Sequence, residues 1–105
     1  PTPAESVLHI RVENETDTQR DVSFQLEVTA SGPDNTYLFR VADIEPGTTR
    51  RTERELERGR YELRVTIGGD GTTIRWSGNE CSEKLVVIRF TETGTVISDR
   101  CPGNA

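Results

Sequence analysis

The sequence predicts an all-β fold, an antiparallel β-sandwich of about seven or eight strands. Apolar residues recur with a period of two along most of the chain, which is the spacing of a strand with one buried face. Residues that favour turns separate these segments roughly every 10 to 15 residues. No segment carries the broad apolar stripe that a packed helix needs. Together these observations indicate two packed sheets.

Each predicted strand alternates apolar residues, which face the core, with polar residues, which face water. The clearest strand runs from Tyr61 to Ile67. Turns are predicted at residues 31–35, 45–47, 68–71 and 92–94, where glycine, proline, asparagine or aspartate presets the backbone. The apolar series comprises Leu8, Ile10 and Val12; Val22, Phe24, Leu26 and Val28; Tyr37, Phe39 and Val41; Tyr61, Leu63, Val65 and Ile67; Ile74 and Trp76; Val86, Ile88 and Phe90; and Val96 with Ser98.

Residues 48–59 are dense in charge and fit two structures. Opposite charges three or four residues apart would support a helix. Such a helix would offer only Leu56 to a core, so packing would stabilise it little. We therefore predict an exposed edge strand, whose charges discourage pairing with another sheet. Interleaved arginine and glutamate from Arg50 to Arg64 also cancel most of the field that would attract an acidic partner.

The length of 105 residues fits one domain. We assign residues 1–5 to a polar, proline-bearing tether, residues 6–102 to the sandwich and residues 103–105 to a short tail. Because the chain does not begin with methionine, we expect the tether to join the domain to an upstream segment, with a lipidated cysteine as one candidate anchor. The oligomeric state is not indicated.

Charge composition restricts the partners and the habitat. A net charge of -5 argues against nucleic acid, since phosphate binding needs a basic face. The longest apolar run, residues 85–88, is far too short to cross a membrane as a helix. Lys84 is the only lysine beside many arginines and carboxylates, a composition typical of haloarchaea. A high-GC genome without a salt requirement is the alternative.

A family resemblance rests on two groups of residues. Pro46 and Gly47 followed by a polar strand, and then Gly59 with Tyr61 and residues 63–65, resemble secreted immunoglobulin-like (Ig-like) and carboxypeptidase-regulatory-like domains. The last third resembles small Ig-like domains of haloarchaeal envelope proteins and lipoproteins, through residues 76–78, Cys81, residues 93–96 and residues 101–102. The resemblance covers residues 6–102 and implies a fold and an extracytoplasmic location, but no reaction.

The two cysteines are placed to form a disulfide. Cys81 precedes a predicted strand and Cys101 follows its hairpin partner, so both lie at the same end of the hairpin. Two free buried thiols and half of a metal site are the alternatives. A disulfide would indicate an oxidising compartment.

Metal and redox chemistry lack the necessary ligands. Structural zinc generally needs four ligands, and two cysteines with the distant His9 do not supply them. Blue copper needs a second histidine and usually a methionine, and the sequence has one histidine and no methionine. Residues 13–17 lack the acidic ladder and central glycine of a calcium loop, and we interpret them as a solvated turn. No cofactor is predicted.

Catalytic patterns are equally weak, and we predict that the protein is not an enzyme. His9, the sole candidate base for a nucleophile, falls on the polar side of its strand. No pair of carboxylates stands out for glycoside hydrolysis. Residues 68–71 lack the lysine and the following helix of a phosphate loop and are interpreted as a turn between strands.

Two residues remain as candidate sites. Asn14 begins an Asn-X-Thr glycosylation sequon, which matters only in a secreted chain. Trp76, the only tryptophan, is interpreted as a core residue, with stacking on a sugar as the alternative.

The sequence as a whole favours a non-catalytic accessory or protein-interaction domain of an archaeal cell envelope, secreted or anchored at the surface, with an envelope protein as partner. Two alternatives stay open. One is a small-ligand or carbohydrate-binding module that uses Trp76, and the other is a structural spacer.

Overall fold

The computed structural model describes residues 6–29, 35–57, 59–78 and 80–102, and it contains eight strands there. The tether, the tail and most of the turn predicted at residues 31–35 lie outside the described residues. None of the residues that are described forms a helix able to span a membrane. The strands are β1 (Ser6–Asn14), β2 (Arg20–Thr29), β3 (Asn35–Ile44), β4 (Thr49–Leu56), β5 (Arg60–Ile67), β6 (Asp70–Ser77), β7 (Glu83–Thr91) and β8 (Gly94–Arg100).

The strands form two four-stranded sheets packed face to face. Sheet I has the order β4-β1-β7-β8 and sheet II the order β3-β2-β5-β6. Three antiparallel hairpins, β2–β3, β5–β6 and β7–β8, each stay within one sheet. The predicted Ig-like β-sandwich of seven or eight strands is confirmed, and residues 68–69 form the predicted turn between β5 and β6.

One strand pair departs from the antiparallel arrangement. β1 lies parallel to β7, from Val7 opposite Glu83 to Asn14 opposite Phe90. On its other side β1 is antiparallel to β4. Parallel neighbours need a long connection, and here five strands spread over both sheets provide it.

The core lies between the inner faces of the two sheets. Nearly all the residues predicted to face it are buried, including Leu26, Leu63 and Ile88 at 0% exposure. Tyr37, Phe39 and Ile67 pack against its margin and are half-buried. Alternation in β1, β2, β5 and β7 follows the prediction residue by residue.

The face of β8 was predicted wrongly. Ile88 lies opposite Ile97, so Ile97 faces the core and its neighbours Val96 and Ser98 face outward. Val96 is 52% exposed. A shift of one residue inverts every side chain of a strand, and Val96 and Ile97 are both apolar, so the pattern alone does not choose between them.

The charged segment forms an edge strand, as predicted. β4 lies at the edge of sheet I, and Leu56 is its buried apolar residue. The guanidinium of Arg54 lies 4.9 Å from the ring centroid of Tyr37 and 5.2 Å from that of Phe39. Because those rings belong to β3 at the edge of sheet II, a cation–π contact closes this side of the sandwich.

Candidate functional site

The predicted disulfide is present at one end of the sandwich. Cys81 precedes β7 and Cys101 follows β8, and their Cα atoms lie 5.5 Å apart. The hydroxyl of Ser6 donates to the carbonyl oxygen of Cys81 at 2.9 Å, which attaches the start of β1 to the bridge. We call this end, built from Ser6, Trp76, Cys81, Lys84 and Cys101, the disulfide pole.

Trp76 belongs to the disulfide pole and is a core residue, as interpreted from the sequence. It is 6% exposed, and its ring lies 5.2 Å from that of Tyr61 and 5.7 Å from the Nζ of Lys84. Its Nε1 donates to Ser6 Oγ at 3.4 Å. The alternative of sugar stacking on Trp76 is therefore not supported, since the ring offers no open face.

Lys84 occupies the core-facing side of β7. It is 5% exposed, and its Nζ donates to Oδ2 of Asp99 on β8 at 2.5 Å. The aliphatic stem lies among apolar groups while the charge reaches a carboxylate at the margin. The one lysine in the chain is consequently shielded from amine reagents in the folded domain.

Asn14 lies at the opposite end of β1 and is buried, with 1% exposure. Its Nδ2 donates to the carbonyl oxygens of Thr18 at 2.8 Å and Ile44 at 2.9 Å. Its Oδ1 accepts from the backbone N–H of Thr16 at 3.0 Å and from Thr16 Oγ1 at 2.6 Å. We call this network the Asn14 pole.

The Asn14 pole corrects the interpretation of residues 13–17 as a solvated turn, since Asn14 and Thr16 are both buried. The amide supplies a donor to the buried carbonyl oxygen of Ile44 and one of two donors to that of Thr18, which also accepts from Thr16 Oγ1. The geometry also argues against glycosylation of the folded domain, because the nitrogen that would carry a glycan already donates both its protons.

His9 lies on the outer face of β1, on the polar side as predicted. Its Nδ1 is 3.5 Å from Glu53 Oε2 and its Nε2 is 3.7 Å from Glu83 Oε1. Within the described part of the chain, no three histidine, cysteine or acidic side chains lie close enough together to hold a metal ion.

The outer face of sheet I is a feature that the sequence interpretation did not identify. Two adjoining grooves, of about 420 and 470 Å³, cross it and share Arg11 and Leu85. Val7, Leu85 and Val87 place apolar groups on this outer face, and all are half-buried. The signal was the unbroken apolar run at residues 85–88, because a strand with one wet face should interrupt it. The face carries Val7, His9, Arg11 and Glu13 of β1, Glu83, Leu85, Val87 and Arg89 of β7, Val96, Ser98 and Arg100 of β8, and Thr49, Arg51, Glu53 and Glu55 of β4.

Charges on this face are segregated along the strands. Near the disulfide pole, Glu53, Glu55 and Glu83 form an acidic end, with Arg100 beside it. Towards the Asn14 pole lies a basic end, formed by the guanidinium groups of Arg11, Arg51 and Arg89. It also contains the carboxylates of Glu13 and Glu15.

The three arginines of the basic end differ in their ion-pair and hydrogen-bond partners. Arg89 donates to Glu15 Oε2 from Nε at 2.8 Å and from Nη2 at 2.6 Å, and this hydrogen bonding raises the pKa of Arg89. The Nε of Arg11 is buried and forms an ion pair with Glu13, 3.4 Å from its Oε2, but none of the described residues accepts a hydrogen bond from it. Arg51 makes no ion pair with any residue that the structure describes.

Two four-stranded sheets packed face to face are the architecture of an Ig-like sandwich. The Halobacterial Ig-like domain family matches residues 20–104, and the chain belongs to that family. The match begins at the first residue of β2 and supports the haloarchaeal interpretation of the composition. No curated protein and no solved structure matches the chain.

Proposed function

We propose that this domain is a non-catalytic, extracytoplasmic module of the cell envelope that binds another folded protein through the outer face of sheet I. The observation that carries the proposal is a half-buried apolar strip, in which Leu85 and Val87 lie between the acidic and the basic end and Val7 lies within the acidic end. Apolar groups rimmed by charged ones are the usual composition of a protein-binding surface.

One observation supports the location and another supports the non-catalytic role. A disulfide persists in an oxidising compartment and is rare in the cytoplasm of most organisms. The Ig-like family is generally non-enzymatic, which agrees with a binding role. A structural spacer would share both features but would not need the apolar strip.

The proposed function is tested by crosslinking in intact envelopes, at the salt concentration in which the cells grow, followed by mass spectrometry. The crosslinker must react with carboxylates, because Lys84 is the only lysine and is buried. We expect reproducible crosslinks from Glu53, Glu55 or Glu83 to a protein.

A matched pair of variants shows which face of the domain contacts the partner protein. Leu85→Glu puts a charge in the apolar strip and should abolish the crosslinks. Leu38→Glu puts the same charge on the outer face of sheet II, at a residue 76% exposed, and should leave them intact. The absence of any crosslinked protein, or equal loss in both variants, would refute the proposal in favour of a spacer.

The surplus of carboxylates predicts a dependence of stability on salt. At molar salt the Debye length is about 3 Å, so repulsion among the acidic groups is screened, whereas at 10 mM it is about 30 Å. We expect the midpoint of thermal unfolding to fall by at least roughly 5 °C on dilution, equal to about 1 kcal/mol. The double variant Glu80→Gln/Glu92→Gln, which removes two exposed charges, should show a smaller fall. A midpoint that holds or rises in dilute buffer would contradict the prediction.

A further inference from the structure

We propose that the partner on the outer face of sheet I is a second copy of this chain, packed face to face about a twofold axis. The axis lies in the interface, perpendicular to the strands, above the row formed by Thr52, Ile10 and Val86. The proposal rests on the proposed function and specifies its occupant.

The registers of sheet I locate this row. Ile10 is opposite Thr52 on β4 and opposite Val86 on β7, so the three residues lie side by side across the sheet. A twofold rotation about an axis above them places each strand over its own counterpart, running in the reverse direction. A residue one position before the row then meets the residue one position after it in the other copy.

Opposite charges meet under this operation. Glu53 and Arg51 flank Thr52, so Glu53 of each copy meets Arg51 of the other. Glu83 and Arg89 lie three positions either side of Val86, so they also meet across the axis. Each pair occurs twice, because a twofold contact is self-complementary.

Apolar groups meet at the centre. Leu85 and Val87 flank Val86, so Leu85 of one copy packs on Val87 of the other, again twice. On β1, His9 of one copy lies opposite Arg11 of the other. On β8, Ser98 meets Arg100.

Other orientations lose this match. A twofold axis parallel to the strands would place the acidic end of one copy against the acidic end of the other, and like charges opposite one another are destabilising. Four strands about 4.8 Å apart and about eight residues long cover roughly 500 Å² per copy, near the lower limit for a specific interface. The dimer is accordingly weak and concentration-dependent.

The test uses the exposed pair on edge strand β4, where charge reversal does not disturb the core. Arg51→Glu alone sets acidic side chains against Glu53 of the other copy, and Glu53→Arg alone sets basic ones against Arg51. We expect either single variant to raise the dimer dissociation constant about tenfold, measured by sedimentation equilibrium at one fixed salt concentration.

Two combinations of these substitutions should restore association, and they test the proposed twofold geometry. The double variant Arg51→Glu/Glu53→Arg, and the equimolar mixture of the two single variants, should each regain the wild-type association. Leu38→Glu on the outer face of sheet II should leave the dissociation constant unchanged. Circular dichroism confirms that each variant is folded.

A monomer at every concentration up to about 1 mM, or a dimer whose mixture of single variants fails to reassociate, would overturn the inference. Crosslinks from the same face to a different protein would then leave the proposed function standing. Crosslinks to no protein would refute both.

Discussion

Replacing Cys81 and Cys101 together by alanine is expected to lower the free energy of unfolding by about 3 kcal/mol. The two cysteines are 20 positions apart, and opening a loop of that length returns conformational entropy to the unfolded chain. For a domain of this size the midpoint of thermal unfolding should fall by roughly 12 to 20 °C. Calorimetry in molar salt measures both quantities.

Reductant supplies the control for this prediction. Dithiothreitol should lower the stability of the wild-type protein to that of the double variant and should leave the double variant unchanged. Equal stability of the oxidised wild type and the double variant would show that the bridge contributes nothing.

Asn14→Ala is expected to cost roughly 3 kcal/mol, a loss comparable to that of the disulfide. The substitution removes the donor for the buried carbonyl oxygen of Ile44, one of the two donors to that of Thr18, and the acceptor for Thr16. Buried polar groups left without partners cost about 1 to 3 kcal/mol each, and entering water offsets part of that cost. Urea unfolding of protein made in a host without N-glycosylation measures the effect free of any glycan.

Two control variants show whether the loss of stability comes from the hydrogen-bond network of Asn14 or from the removal of any asparagine side chain. Asn35→Ala removes the same side chain from an exposed position on β3 and should change stability by less than about 0.5 kcal/mol. Thr16→Ser keeps the hydroxyl that donates to Asn14 and should also be mild. Similar losses at Asn14 and Asn35 would contradict the role assigned to the Asn14 pole.

Strands and turns were predictable because their signals are local. A period of two in Leu8, Ile10 and Val12, or in Tyr61, Leu63 and Val65, needs no knowledge of distant residues. The edge position of β4 also followed from its own composition, since a central strand with one apolar residue would gain too little from burial. The disulfide followed from hairpin connectivity.

Features that depend on pairing between distant strands were not predictable. The period of β1 is the same whether its neighbour runs parallel or antiparallel, so the pairing with β7 has no local signal. The face of β8 depends on its register with Ile88, which adjacent apolar residues leave open. Asn14 looked like a turn residue because the carbonyl oxygen of Ile44, which its amide satisfies, belongs to another strand.

The candidate surface was missed for a related reason. Leu85 and Val87 were interpreted as part of an apolar run rather than as residues of an outer face, although alternate residues of a strand point to opposite faces. The charge pattern of that face appears only when Glu53 and Glu83 are brought together beside His9 by the registers of β1.

The position of β1 between β4 and β7 sets the time at which the domain can fold. Ser6 and Cys81, which are joined by a hydrogen bond, are 75 positions apart. At about 5 to 20 residues per second, the ribosome needs roughly 4 to 15 s between making one and the other. During that interval one edge of β1 has no partner strand, and closing so long a loop makes the final step slow. Within the domain, β1 is therefore made before the other seven strands and is among the last to be completed, so the domain stays open to chaperones, or to passage through a translocation channel, until β7 has emerged.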